Sequence, residues 1–213
     1  MAMRSSEAPA RNRGVLCPAS TQMNFASLSH NLRSCSQAVL LLFGLALSHT
    51  ALAENWPCWR GPRLDGSSHE ANVPLRWSAT NNLAWKVELP GVGHASPIVF
   101  DNYIFIATAL LESQQRILMS LDRNTGQIFW QQTVLAAPLE HKNALNSFAS
   151  STPATDGELV FAAFLDRNQM FVAAYDFNGK QRWAVHPGPF ASMHGFCSSP
   201  VLYRMSFYGS LPH

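Results

Sequence analysis

Two stretches about fifty residues apart constrain this chain more than any other feature. "SLDRNTGQIFW" ends at Trp130 and "AAYDFNGKQRW" ends at Trp183; each sets an aspartate, a short polar turn with glycine, and then a tryptophan. Other landmarks keep step with them. Trp85, Trp130 and Trp183 are separated by 45 and 53 residues, and Pro97, Pro153 and Pro200 by 56 and 47.

Between each proline and the next tryptophan the pattern is strand-like. "SPIVF" turns at Asp101-Asn102 into "YIFIATA", followed by "RILMSLD", a turn at "RNTG", and "QIFWQQTV". The second copy runs "STPAT", an Asp156-Gly157 turn, "ELVFAAF", a loop at "LDRNQ", "MFVAAYD", a turn at "FNG", and "KQRWAV". β-Branched and aromatic residues fill the runs, and Asp-Gly and Asn-Gly pairs supply the positive φ angles of tight hairpins. Four short antiparallel strands in a repeat of this length predict an all-β fold, a β-propeller built of four-stranded blades, and exclude a helical solenoid. A third copy begins at "FCSSPVLY", and "WKVEL" near Trp85 reads as the outer strand of a preceding blade.

The motif has a physical purpose within such a blade. The aspartate closing a strand accepts hydrogen bonds from backbone N–H groups of the turn, and glycine takes the left-handed position. The tryptophan, on the outermost strand, covers the join to the neighbouring sheet and contributes a few kcal/mol of apolar burial per repeat. Asp122, Thr125, Gly126 and Trp130, with Asp176, Gly179 and Trp183, are therefore read as architectural.

These residues resemble the PQQ-type β-propeller repeats, whose blades end in a tryptophan-docking motif close to Ala-x-Asp-x-x-Thr-Gly-x-x-x-Trp. The first copy matches almost position for position; the second has a shorter loop and no threonine. "NWPCWRGPRLDGSS" is similar to the start of secreted bacterial members. The resemblance covers Asn55 to about Tyr203 and implies a ring of seven or eight blades, of which about two to three are written here. The "RMSFYGSLPH" tail, residues 204–213, departs from the repeat, so a fragment or altered reading frame is expected, with exposed blade faces that make the chain poorly soluble or oligomeric.

Residues 1–53 read as a secretory signal. An arginine-bearing stretch leads into "AVLLLFGLAL" and then "SHTALA", with Ala51 and Ala53 giving the small-x-small cleavage site; Met23 makes a more conventional start than Met1. The apolar run is about ten residues, short of the roughly 20 that span a bilayer, so no transmembrane span is expected after cleavage. An uncleaved anchor and an organelle transit peptide are the rival readings. The organisation that follows is a lead-in over residues 54–84 and a partial propeller over 85–203.

Removing Arg4, Glu7, Arg11, Arg13 and Arg33 leaves 11 Lys+Arg against 12 Asp+Glu, a formal charge of −1 where the full chain has +2. A neutral surface without basic clusters argues against nucleic acid. Of four cysteines, Cys58 and Cys197 remain, either as a disulfide of an oxidising compartment or as two free thiols.

Inner strands of propeller blades line the axis, so the segments before the three prolines hold the candidate binding groups at a channel mouth: His94, Ser96, Ser150, Ser151, His194 and Ser198. The competing reading makes these small hydroxyls part of crowded strand packing. No G-x-S-x-G elbow supports a hydrolase, and His194-x-x-Cys197 is a single pair without a partner at metal-ligand spacing. No catalytic or metal residue is assigned. The resemblance thus implies a secreted or periplasmic scaffold binding a protein, peptide or carbohydrate without a cofactor. Its alternative is the N-terminal part of a PQQ- and calcium-dependent alcohol or sugar dehydrogenase, although the vicinal cysteine pair of many such enzymes is missing here.

Overall fold

Each proline landmark stands immediately before a strand. In the computed structural model, which describes residues 53–203 and 206–208, the first blade comprises β1 (Ile98–Phe100), β2 (Tyr103–Leu110), β3 (Gln115–Asp122) and β4 (Ile128–Ala136). The second comprises β5 (Ala154–Thr155), β6 (Leu159–Asp166), β7 (Gln169–Asp176) and β8 (Gln181–Pro189). β9 (Val201–Tyr203) opens the third repeat. Having no N–H to give a ladder, Pro97, Pro153 and Pro200 sit one residue ahead of β1, β5 and β9, where pairing begins.

Both blades are antiparallel meanders, with strand orders β1-β2-β3-β4 and β5-β6-β7-β8. All eight strands expected from the sequence are present, and no described residue is helical. The described chain is therefore all-β, two successive four-stranded propeller blades. β9 pairs with a short β10 (Ser206–Tyr208), which lies in the tail that departs from the repeat pattern. The expected signal sequence, its start at Met23, and the rest of that tail lie outside the described residues, Ala53 apart.

The blades pack face to face. Ile98, Phe105, Ala107 and Leu118 of the first meet Val160, Ala162, Phe164 and Ala173 of the second in one buried cluster. Alanines recur in the contact, Ala107 with Ala162 and Ala173, where two sheets approaching closely leave little room between them. β3 is buried on both faces, since Ile117, Met119 and Leu121 point the other way, toward Val87 and Leu89. That second contact corrects one expectation. "WKVEL" forms no ladder strand; its alternate residues Trp85, Val87 and Leu89 are half-buried against the open face of the first blade, while Lys86 and Glu88 face water. Packing, not backbone pairing, holds it there.

Farther upstream, Trp56 bridges Val99 with paired backbone hydrogen bonds of 2.7 and 3.0 Å, and the Thr155 N–H donates to the Pro57 carbonyl at 2.9 Å. The lead-in thus threads between the innermost strands of both blades and delivers residues 58–66 to the axial end of the molecule.

Candidate functional site

The repeat motif acts as the sequence suggested, with one refinement. Asp122 Oδ1 accepts from the N–H groups of Asn124 and Thr125 at 2.6 and 2.9 Å, and Asp176 Oδ1 from those of Asn178 and Lys180 at 3.0 and 2.9 Å. These backbone donors, the Lys180 N–H foremost, together with the Arg182 guanidinium at 2.9 Å, hold the Asp176 carboxyl below the ordinary aspartate range. Gly126 and Gly179 take φ of +74° and +82°, where L side chains are strained.

The refinement concerns which turn each tryptophan covers. Trp130 belongs to the first blade, yet its Nε1–H donates to the Phe177 carbonyl at 2.8 Å and its ring lies on Gly179 of the second, so close that a Cβ there would come within 2.8 Å. Trp85 does the same to the first blade, donating to the Arg123 carbonyl at 2.9 Å and lying on Gly126. Each indole therefore clasps the glycine turn of the blade that follows it. In both blades the β-ladder skips the residue just before the tryptophan, Phe129 and Arg182, and such bulges re-aim the next side chain. Trp183 meets Phe161 of its own blade at 5.8 Å between ring centres.

The axial ends of the repeats converge. Aligning the chain on its three prolines places Ser96, Thr152 and Ser199 in equivalent positions, and they are linked in series: the Ser96 N–H donates to Thr152 Oγ1, and the Thr152 N–H to Ser199 Oγ, both at 3.0 Å. This hydroxyl ladder ties successive blades near the axis. Two positions earlier in each repeat stand His94, Ser150 and Cys197, and all three line one cavity of about 770 Å³. A volume of that size suits a small-molecule ligand or a peptide end.

Of the candidates, His94, Ser150 and Ser198 border the cavity. Ser96 and Ser151 serve the joins between blades instead, Ser151 Oγ donating to the Ser198 carbonyl at 2.8 Å. His194 lies apart, its carbonyl accepting from Asn146 Nδ2 at 2.6 Å and holding the loop before the second blade. Thr152 and Ser199 were not singled out in the sequence, although the proline register marks them.

The opposite wall comes from the lead-in. Cys58, Trp59, Arg60 and Leu64 border the cavity, with the Arg60 guanidinium 5.4 Å from the Trp59 ring centre. The turn beneath is knit by backbone bonds from Gly61 to Cys58 and from Gly66 to Arg60, at 2.9 and 3.0 Å. Gly61, at φ +72°, lies on Trp56 so closely that a Cβ would meet the indole at 2.8 Å. Its far side is clasped by Glu54, which receives a two-pronged contact from Arg63 at 2.6 and 2.9 Å and a hydroxyl bond from Ser68 at 3.0 Å.

The Arg63 fork holds the Glu54 carboxyl down to about 2, below its ordinary 4.5. A carboxyl with a depressed folded value supports the fold above the unfolded value and loses that support as pH falls through the folded one. The clasp should therefore be intact above about pH 4.5 and release toward pH 2. Following the Glu54 carboxyl by NMR should give a midpoint near 2, and Arg63→Gln should move it up toward 4.5; a midpoint already near 4.5 in the parent chain would contradict the clasp.

The Ser150 hydroxyl donates to Asn146 Oδ1 at 2.6 Å, an amide oxygen that cannot take its proton. The Cys58 thiol donates to the Gly61 carbonyl at 3.2 Å, and burial pushes its pKa above the ordinary value, which disfavours the thiolate. Cys58 and Cys197 border the same cavity as free thiols. Among the described residues no carboxylate borders the cavity. No helix of the described residues is long and apolar enough to cross a membrane.

No family model and no curated protein sequence matches the chain. Among solved structures it is similar to the crystal structure of BamB from Moraxella catarrhalis, with a TM-score of 0.47 and 17% identity over 62% of this chain. The similarity spans 38% of that chain, well under two thirds of its length.

Proposed function

We propose that the chain forms part of a secreted or periplasmic PQQ-like β-propeller that acts as a non-catalytic binding or assembly scaffold. Its ligand, a protein, peptide or carbohydrate, meets the loops and the channel mouth. One observation carries the reading. Three repeat-equivalent residues, His94, Ser150 and Cys197, turn toward one cavity, and the serine's hydroxyl is committed to a structural hydrogen bond and not to a base.

A photo-crosslinking amino acid at position 94, in cells secreting the chain, should capture a discrete ligand, and the purified protein given PQQ and calcium should not oxidise alcohols or sugars with a dye acceptor. PQQ-dependent turnover would overturn the scaffold reading in favour of a quinoprotein dehydrogenase.

A further inference from the structure

The cavity wall has a one-sided charge. Among the described residues Arg60 is the single formally charged side chain on it, and no aspartate or glutamate borders the space. Among the described residues the Arg60 guanidinium enters no ion pair, whereas Arg63, three residues on, is fully engaged by Glu54 and Ser67. Arg60 instead lies over the exposed Trp59 ring, an arrangement that fixes its plane without using its hydrogen-bond donors. The rest of the lining is uncharged: His94, Ser150 and Ser198 are polar, while Leu64, Pro200 and Val201 form an apolar side on which Leu64 and Val201 leave apolar surface open to a guest.

We infer that this cavity binds an apolar chain ending in a carboxylate, the acid group on the Arg60 fork and the hydrocarbon between Trp59 and the Pro200–Val201 wall. The inference rests on the binding reading above and narrows it to one ligand chemistry. A planar fork with free donors matches a carboxylate by two parallel N–H···O bonds, and a neutral amide of the same shape can use only one acceptor. The guest's tail covers the exposed apolar lip, and its head supplies the anion that the wall lacks. Two sources share this chemistry: a free fatty acid and the C-terminus of a peptide with an apolar last residue.

The test titrates the full chain with octanoate and octanamide, and with N-acetyl-Ala-Ala-Leu as acid and as amide, following heat and tryptophan fluorescence. Each acid that binds should do so about tenfold or more tightly than its amide, as a charge-assisted pair requires. Arg60→Gln should remove that advantage and leave amide binding unchanged; Arg60→Lys should retain part of it; Arg182→Gln, on the remote outer strand, should change nothing. Octanoate preferred over the peptide acid points to a lipid source, and the reverse to a peptide C-terminus. Equal affinity for acid and amide, binding of neither, or an acid preference that survives Arg60→Gln overturns the inference. Each of those results is separate from PQQ-dependent turnover, which bears on the scaffold reading itself.

Discussion

Replacing Trp130 by alanine should lower the unfolding free energy by about 2–4 kcal/mol, below the full range for truncating a buried aromatic because the indole is half-buried. The indole holds the two blades together three ways. It covers Gly179, it donates to the Phe177 carbonyl at 2.8 Å, and its ring centre lies 6.0 Å from Phe105 and 6.4 Å from Tyr175. Trp130→Phe keeps most of the ring and loses the hydrogen bond, so it should cost less, about 1–2 kcal/mol for the stranded carbonyl and the reduced area. Trp183→Ala is the internal comparison. It occupies the same repeat position, but among the described residues it packs on Phe161 of its own blade and against a cluster that includes Phe190 and Phe196, and covers no following glycine turn. Its effect should be less than half that of Trp130→Ala in urea unfolding. Equal losses at the two positions would show that clasping the next blade is not what makes this tryptophan matter.

Glu140→Ala should be comparably damaging, at about 3–5 kcal/mol, because it strands a charge in the interior. Arg116 on β3 is fully buried and Glu140 nearly so, and the guanidinium also reaches the carbonyls of Ala137 at 2.6 Å and Pro138 at 3.3 Å. It lies 5.9 Å from the Phe148 ring centre as well. Arg116 thereby folds the segment after β4 back onto the first blade, the segment that continues to Ser147 and Ser150 at the axis. Its Nε has no acceptor among the described residues, so the pair is costly to desolvate. Removing both charges together, as Arg116→Met with Glu140→Leu, should therefore cost clearly less than either single change. Single variants within about 0.5 kcal/mol of the parent would contradict a buried pair.

How much of this was legible depends on the reach of each interaction. The eight blade strands were readable because strand alternation and Asp-Gly turns act within a few residues. Asp122 and Asp176 were readable as turn closers for the same reason: their acceptor bonds go to N–H groups two to four residues on. Arg116 was not. In "QRILMSLD" it reads as a polar residue at a strand end, and its burial depends on a loop that returns 24 residues later. "WKVEL" looked like a ladder strand because its alternation is real, but alternation reports which face is covered and not whether the backbone is paired.

The candidate site divides along the same line. His94, Ser150 and Ser198 could be placed near the axis from their distance to the prolines, and the same register held the hydroxyl ladder of Ser96, Thr152 and Ser199. His194 could not be separated from them by sequence, since it is three residues from Cys197 and yet turns its carbonyl to Asn146. The charged lip of Trp59 and Arg60 was invisible as part of a site, lying some 35 residues before His94.

The sequence by itself determined the repeat, the strands and the staples, because each depends on backbone conformation and hydrogen bonds inside one blade. Only the tertiary structure decided that Trp85 and Trp130 each clasp the blade that follows, and that the lead-in and three repeats share one cavity. Those outcomes depend on how sheets pack and on where a distant segment threads, and interactions between residues tens of positions apart leave no local pattern to read.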